Sequence, residues 1–280
     1  MADKKLTWHK AEQSRYPDAG SFLRKHEAMC VSACSRFIQG NFHVWTLDDY
    51  SGETAALLLY SHKSLYPVFN NNGHIPLPKF LNRFFNRTQI HSVQGTKNDS
   101  RFLEAGLGRY GCFAADSIDY NLMTLDKEPL PDNLNRGPPG LVIREAMESD
   151  MEKLLELHSA YEKEEVIPTG GYFNPDNSRK TLDRIFSNEQ MMVACLGTEI
   201  IGKINTNAKS FTRRQIGGVY VRPEFRRLGV ASRMSAVFLK RLISEGSGIT
   251  LFVKTKNIAA ANTYKRLGFT VCGDYRISYY

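Results

Sequence analysis

Four of the eleven prolines fall between Lys127 and Gly140, in a stretch with no apolar periodicity. Proline fixes its own φ and biases the residue before it away from helix, so neither a helix nor an interior strand runs easily through this segment. It reads as a semi-extended linker. The expected division is residues 1–126, a linker at 127–140, and residues 141–280. Each half is long enough to bury its own core.

The second half carries the clearer pattern. Leu141–Arg144 reads as a short strand, and Glu148–Glu165 as an amphipathic helix with Met151, Leu154, Leu155 and His158 on one face. Thr181–Phe186 reads as a second helix, and Met191–Cys195 and Glu199–Asn205 as a hairpin around Gly197-Thr198. Gln215–Val221 is a strand, Val230–Ser244 a helix, Ile249–Val253 a strand, Ile258–Arg266 a helix, and Thr270–Tyr280 terminal strand. The first half has the same rhythm more faintly. Helices are expected at Ser21–Gln39, Lys79–Asn86 and Asp99–Ala105, and strands at Phe42–Leu47, Thr54–Tyr60, Gln89–Val93 and within Cys112–Leu125. The fold class is α/β (α+β), a mixed central sheet flanked by helices.

Chemistry concentrates between Gly217 and Arg233. The β-rich run Val219-Tyr220-Val221 meets Pro223, and Arg226-Arg227-Leu228-Gly229-Val230-Ala231 then leads straight into a helix. The first N–H groups of a helix lack internal partners and form a ready anion site. Gly229 permits a tight turn, Ala231 keeps the first turn slim, and Ser232 adds a hydroxyl donor. Neither a Walker A loop nor a dinucleotide glycine fingerprint is present. A second segment begins as the strand at Leu251 and becomes a helix capped by Asn257. Ala260 and Tyr264 share a face of that helix, and Gly268-Phe269 follows as its stop.

With both segments in view, residues 141–280 resemble the GCN5-related N-acetyltransferase (GNAT) superfamily. The pattern R/Q-x-x-G-x-G/A falls on Arg226, Gly229 and Ala231, and N-x-x-A-x-x-x-Y with a later G-F falls on Asn257, Ala260, Tyr264, Gly268 and Phe269. The resemblance implies the acyl-CoA N-acyltransferase fold, with acetyl-CoA as co-substrate in an opening between Gln215–Val221 and Ile249–Val253, and no metal. Main-chain groups of Val219, Tyr220 and Val221 would hold the pantetheine arm. Arg226, Arg227, Leu228, Gly229, Val230, Ala231 and Ser232 would hold the pyrophosphate, Asn257 and Ala260 the arm, and Tyr264 the thioester sulfur.

A lysine-like amine is neutral in only about one molecule in a few thousand at pH 7, so something must take its proton. The family often places a carboxylate on the strand before the loop, and Gln215–Val221 contains none. Glu164 and Glu165 are the candidates instead. The expected reaction is acetyl transfer to a primary amine by direct attack; a non-catalytic acyl-CoA-binding module is the alternative. The first half resembles a degenerate second domain of this kind in tandem. Leu65–Lys79 carries no phosphate-loop pattern, Asn70–Gly73 signals a turn, and Pro76 and Pro78 would disrupt a helix-borne phosphate nest, so this half is not expected to bind coenzyme A.

The net charge of +8 is unevenly shared. Residues 1–140 hold 16 basic and 14 acidic side chains, a net of +2, whereas residues 141–280 hold 21 and 15, a net of +6. The charge excess lies in the half bearing Arg226 and Arg227, which favours a phosphate-rich cofactor over nucleic acid, for which no motif is present. No signal peptide or membrane span is read, so a cytoplasmic protein is expected, with a homodimer left open. Cys30 and Cys34, one helical turn apart, and Cys195 read as buried structural thiols.

Overall fold

The computed structural model describes residues 6–69, 75–81, 84, 88–167 and 171–280. The turn at Asn70–Gly73, and residues 82, 83, 85 and 86 of the helix expected at Lys79–Asn86, therefore lie outside the described residues. The chain divides into two compact units, residues 1–122 with 272–280, and residues 123–271.

In the first unit, β1 (Trp8–Lys10) is followed by α1 (Tyr16–Lys25) and α2 (Val31–Gln39), where one helix over 21–39 was expected. A 3-10 turn at Glu27–Met29 resets the phase between them, so that Leu23 and Cys34 are both fully buried. Strands β2 (His43–Asp48), β3 (Thr54–Ser61), β4 (Ser64–Phe69) and β5 (Ser92–Thr96) follow, then α3 (Lys97–Gly108) and β6 (Asp116–Leu125), whose residues 123–125 fall in the second unit. Strand β4 does not stand out in the sequence because Pro67 lies inside it, and β5 begins three residues later than expected. The proline is tolerated because β4 pairs in parallel with β5 only at Ser64–Ser92 and Leu65–Val93. The paired ladder has ended before Pro67, so the missing N–H breaks no bond of it.

In the second unit, β7 (Leu141–Glu145), α4 (Met151–Tyr161) and α5 (Pro175–Asn188) precede β8 (Met191–Leu196), β9 (Glu199–Lys209) and β10 (Arg213–Val221). Then come α6 (Val230–Ser244), β11 (Gly248–Lys254) and α7 (Ile258–Leu267), and the chain leaves this unit within β12 (Thr270–Tyr279), at residue 272. The sheet order is β11-β10-β9-β8-β7, and β8–β9 closes through the expected hairpin with Gly197 at φ +58°. Alternation along β8 separates two cores. Met192 and Ala194 pack with α6, while Met191, Val193 and Cys195 pack with α4 and α5. Strands β10 and β11 pair in parallel from Arg213–Gly248 to Ile216–Leu251, and that pairing stops short of Val219.

Two boundaries differ from expectation. Residues 127–140 are not a free linker. Asn133 is buried and donates through Nδ2 to Leu130 O at 3.1 Å and Arg266 O at 3.0 Å, and Leu134 packs on the α6 core. The segment is a strap fastened within the second unit. The last nine residues, expected with residues 141–271, belong by compactness to the first unit, where β12 runs antiparallel to β5 with Tyr275 opposite Thr96. Tyr275 and Ser278 are buried there.

Candidate active site

A cavity of about 840 Å³ opens where β10 and β11 separate. Gly229 is the N-cap of α6 with φ +82°, a left-handed conformation that glycine adopts without a steric penalty. A Cβ at Gly229 would also stand 2.9 Å from Arg136 Cβ and 3.0 Å from Gly137 N. The strap therefore presses on the loop at the position where the sequence supplies no side chain. Arg233 N donates to Gly229 O as the first α6 bond, which leaves the N–H groups of the first turn directed at the cavity.

Of the expected residues, Val219, Tyr220, Val221, Arg226, Arg227, Gly229, Val230, Ala231, Ser232, Asn257, Ala260, Tyr264, Glu164 and Glu165 all line this cavity. Leu228 does not; its side chain is half-exposed to solvent. Arg136, Ser235 and Arg266 also line it and were not anticipated. Arg136 was hidden by its place in a supposed linker, and Arg266 by lying two residues past the motif tyrosine.

Two roles look different in three dimensions. Arg226 does not present a free guanidinium: its fork donates to both oxygens of Glu164 at 2.8 and 2.7 Å, and its Nε donates to Val221 O at 2.9 Å. It also lies 5.3 Å from the Tyr220 ring centroid. Glu164 is thereby the anchor that ties the π-helical turn Glu162–Val166 to the end of β10. Asn257 caps α7, its Oδ1 accepting from Ala260 N at 3.1 Å, while its Nδ2 donates to Glu165 Oε1 at 3.2 Å. Glu165 Oε2 lies 3.3 Å from Lys254 Nζ. Tyr264 is 9% exposed and meets the Phe269 ring edge-on. Burial, helped by Tyr161 and Glu165, pushes its phenol above the usual value, so it stays protonated at neutral pH.

The corresponding opening of the first unit, of about 380 Å³, is furnished differently. Counting from the last parallel pair of each unit, and allowing for a bulge in β10, Pro67 stands where Val219 does and Phe69 where Val221 does. Counting from the helix caps Thr96 and Asn257, Asp99 stands in place of Ala260 and Leu103 in place of Tyr264. Asp99 is 3% exposed, and its Oδ2 accepts from Phe69 N at 3.2 Å. Burial lifts its carboxyl to about 6, against the pull of the Phe69 and Thr96 donors.

Residues 151–269 match the family model for the acetyltransferase (GNAT) family. Over the whole chain the fold is similar to that of a Drosophila protein, at 12% identity, 99% of each chain and a TM-score of 0.67. It is similar also to a GCN5-related N-acetyltransferase from Sphaerobacter thermophilus, at 16% identity, 99% of this chain and 96% of that one, with a TM-score of 0.59. A tandem GNAT protein from the clavulanic acid biosynthesis pathway aligns at 11% identity over 98% of each chain, with a TM-score of 0.57. The first half thus resembles a second domain of the same fold, and residues 151–269 are where the chain matches the acetyltransferase (GNAT) family.

Proposed function

We propose that this protein transfers the acetyl group of acetyl-CoA to a primary amine, and that the cavity between β10 and β11 is where it does so. The observation that carries the reading is the cavity lining: an open α6 N-terminus with Arg136, Arg227 and Arg266 around it. Ser235 Oγ adds a buried hydroxyl with no protein partner among the described residues, facing the same space. Donors and cations so arranged fit the phosphates of coenzyme A. Arg226 serves this site as the clamp on Val221 and Glu164 rather than as the main phosphate contact.

The main chain of Val219 and Val221 aligns the thioester arm. Glu165 takes a proton from the substrate ammonium, the neutral amine attacks the thioester carbonyl and the C–S bond breaks, and Tyr264 donates a hydrogen bond to the departing thiolate. A thiol is the stronger acid by about 1.5 pH units, so full proton transfer from a phenol is uphill by about 2 kcal/mol before burial adds to it. Hydrogen bonding is therefore the whole of Tyr264's part. The first unit binds no coenzyme A on this reading. Pro67 has no N–H to offer, Asp99 occupies that of Phe69, and Leu103 supplies no hydroxyl.

The test is free-thiol release from acetyl-CoA across a panel of amines. Turnover with at least one amine, and its loss by roughly 10²-fold or more in Glu165→Gln, supports the assignment. Saturable acetyl-CoA binding without turnover on any amine would support a non-catalytic acyl-CoA-binding module.

A further inference from the structure

Lys203, on β9, is completely buried, yet no carboxylate lies within ion-pairing distance of it among the described residues. Its Nζ donates to Gly218 O at 3.0 Å and to Asn205 Oδ1 at 3.3 Å, and stands 4.8 Å over the Tyr161 ring. Asn205 in turn donates through Nδ2 to Asn207 Oδ1 at 2.8 Å. Lys203, Asn205 and Asn207 alternate along one strand and so share a face.

This ladder lies under an irregularity of β10. Gly217 pairs with Asn205 and Tyr220 with Lys203, so two residues of β10, Gly218 and Val219, stand opposite one of β9. Gly218 has φ +59°. A Cβ there would fall 2.0 Å from Asn205 Oδ1, and one on Gly217 would fall 2.0 Å from Asn207 Nδ2. The glycine pair and the ladder occupy the same space, and only hydrogen at both Cα positions lets them coexist. The bulge ends on Val219, the first β10 residue to line the cavity.

A buried ammonium with no carboxylate in ion-pairing contact among the described residues is costly, and an apolar side chain of similar length would fill the site at lower free energy. What the ammonium adds is a strong donor to a bulge carbonyl that lies outside the β10–β9 ladder. We propose that Lys203 is a positioning residue for the acyl-binding strand: through Gly218 O, with Asn205 and Asn207, it fixes the bulge and hence the backbone of Val219 that receives the thioester arm. The proposal rests on the acetyl-CoA reading of the cavity.

Burial depresses the Lys203 ammonium to about 7, with Glu162 pulling the other way, so its donor strength changes near neutral pH. The groups facing it are Tyr161 and Glu162 at the end of α4, and His158 one turn earlier. The imidazole is held neutral down to about 3 by burial, by Lys203 itself and by Arg184. Glu162 Oε1 lies 3.3 Å from His158 Nε2, but neither ring nitrogen makes a hydrogen bond among the described residues, so burial decides its state. Lys203 is then the cation of this cluster that titrates between pH 6 and 8.

The experiment is calorimetric titration of the full chain with acetyl-CoA from pH 6 to 9, in wild type and Lys203→Met, with thermal unfolding recorded for both. The expected result is about tenfold weaker binding in Lys203→Met at pH 6, at an unchanged or higher unfolding temperature, with the ratio of the two affinities shrinking toward 1 above pH 8. Taking the ratio cancels ionisation of the cofactor's own phosphates. A ratio of 1 throughout, or one that does not change with pH, overturns the positioning role while leaving the acetyl-CoA reading intact. Failure of wild type to bind overturns both. Should Lys203→Met not fold, Lys203→Gln is measured against the same outcomes.

Discussion

Tyr264 shows how far a single side chain can be read. Its spacing from Asn257 and Ala260 announces a role, but only the fold supplies burial and the nearness of Glu165 and Tyr161 that hold its phenol protonated. Tyr264→Phe is expected to lower turnover by roughly 10²-fold while leaving the acetyl-CoA dissociation constant nearly unchanged, measured by thiol release and calorimetry. His158 gives a prediction in stability. Its folded pKa is depressed to about 3, so between its ordinary value and that point the unfolded chain binds a proton that the folded one does not. This contribution to stability is full above about pH 6.5 and is lost as the pH falls toward 3. A chain with His158→Gln should therefore show a shallower loss of denaturant stability across that window than wild type. His158 is legible in the sequence as part of the buried face of its helix, and it is buried. Lys203 is not legible, because a lysine in a strand normally points to water. Only the Gly217-Gly218 bulge makes room for it inside.

Among the elements, the strand-turn-helix junction was legible because its requirements are local: a proline to end the strand, a glycine at the turn, small residues opening the helix. What was not legible is what approaches from far along the chain. Glu164 and Arg226 are 62 residues apart, and a bidentate pair joins the expected base to the expected phosphate ligand. Likewise Gly229 meets the strap at Arg136 and Gly137. Gly229→Ala should cost about 1–2 kcal/mol for the left-handed backbone alone, more for the strap contact, and should weaken acetyl-CoA binding in the same protein, read by denaturant titration and calorimetry. Asn257→Ala should cost about 1 kcal/mol for the lost cap. It should also lower turnover, because it releases Glu165 from the 3.2 Å bond that aims it.

Across the full chain, the tandem character showed in the repeated order of elements, and likeness over nearly its whole length to a tandem GNAT protein agrees with it. The edges of the units did not show. Prolines suggested a linker at residues 127–140, yet Asn133 fastens that segment to Arg266. The final strand reads as the end of the second unit, yet residues 272–280 group with the first. Strand partners are a property of distant register, which no local pattern records. Removing residues 272–280 should accordingly speed amide exchange in β5, which loses its Tyr275 to Tyr279 partners, more than in β8 and β9.

The proposed acetyl transfer requires acetyl-CoA to bind between β10 and β11 and not in the first unit. Amide hydrogen exchange of the full chain, with and without acetyl-CoA, reads both openings in one experiment. Slowed exchange is expected in residues 219–232 and 257–264, with residues 64–69 and 96–103 unchanged. Unchanged exchange in 219–232, or protection confined to 64–69 and 96–103, would contradict it.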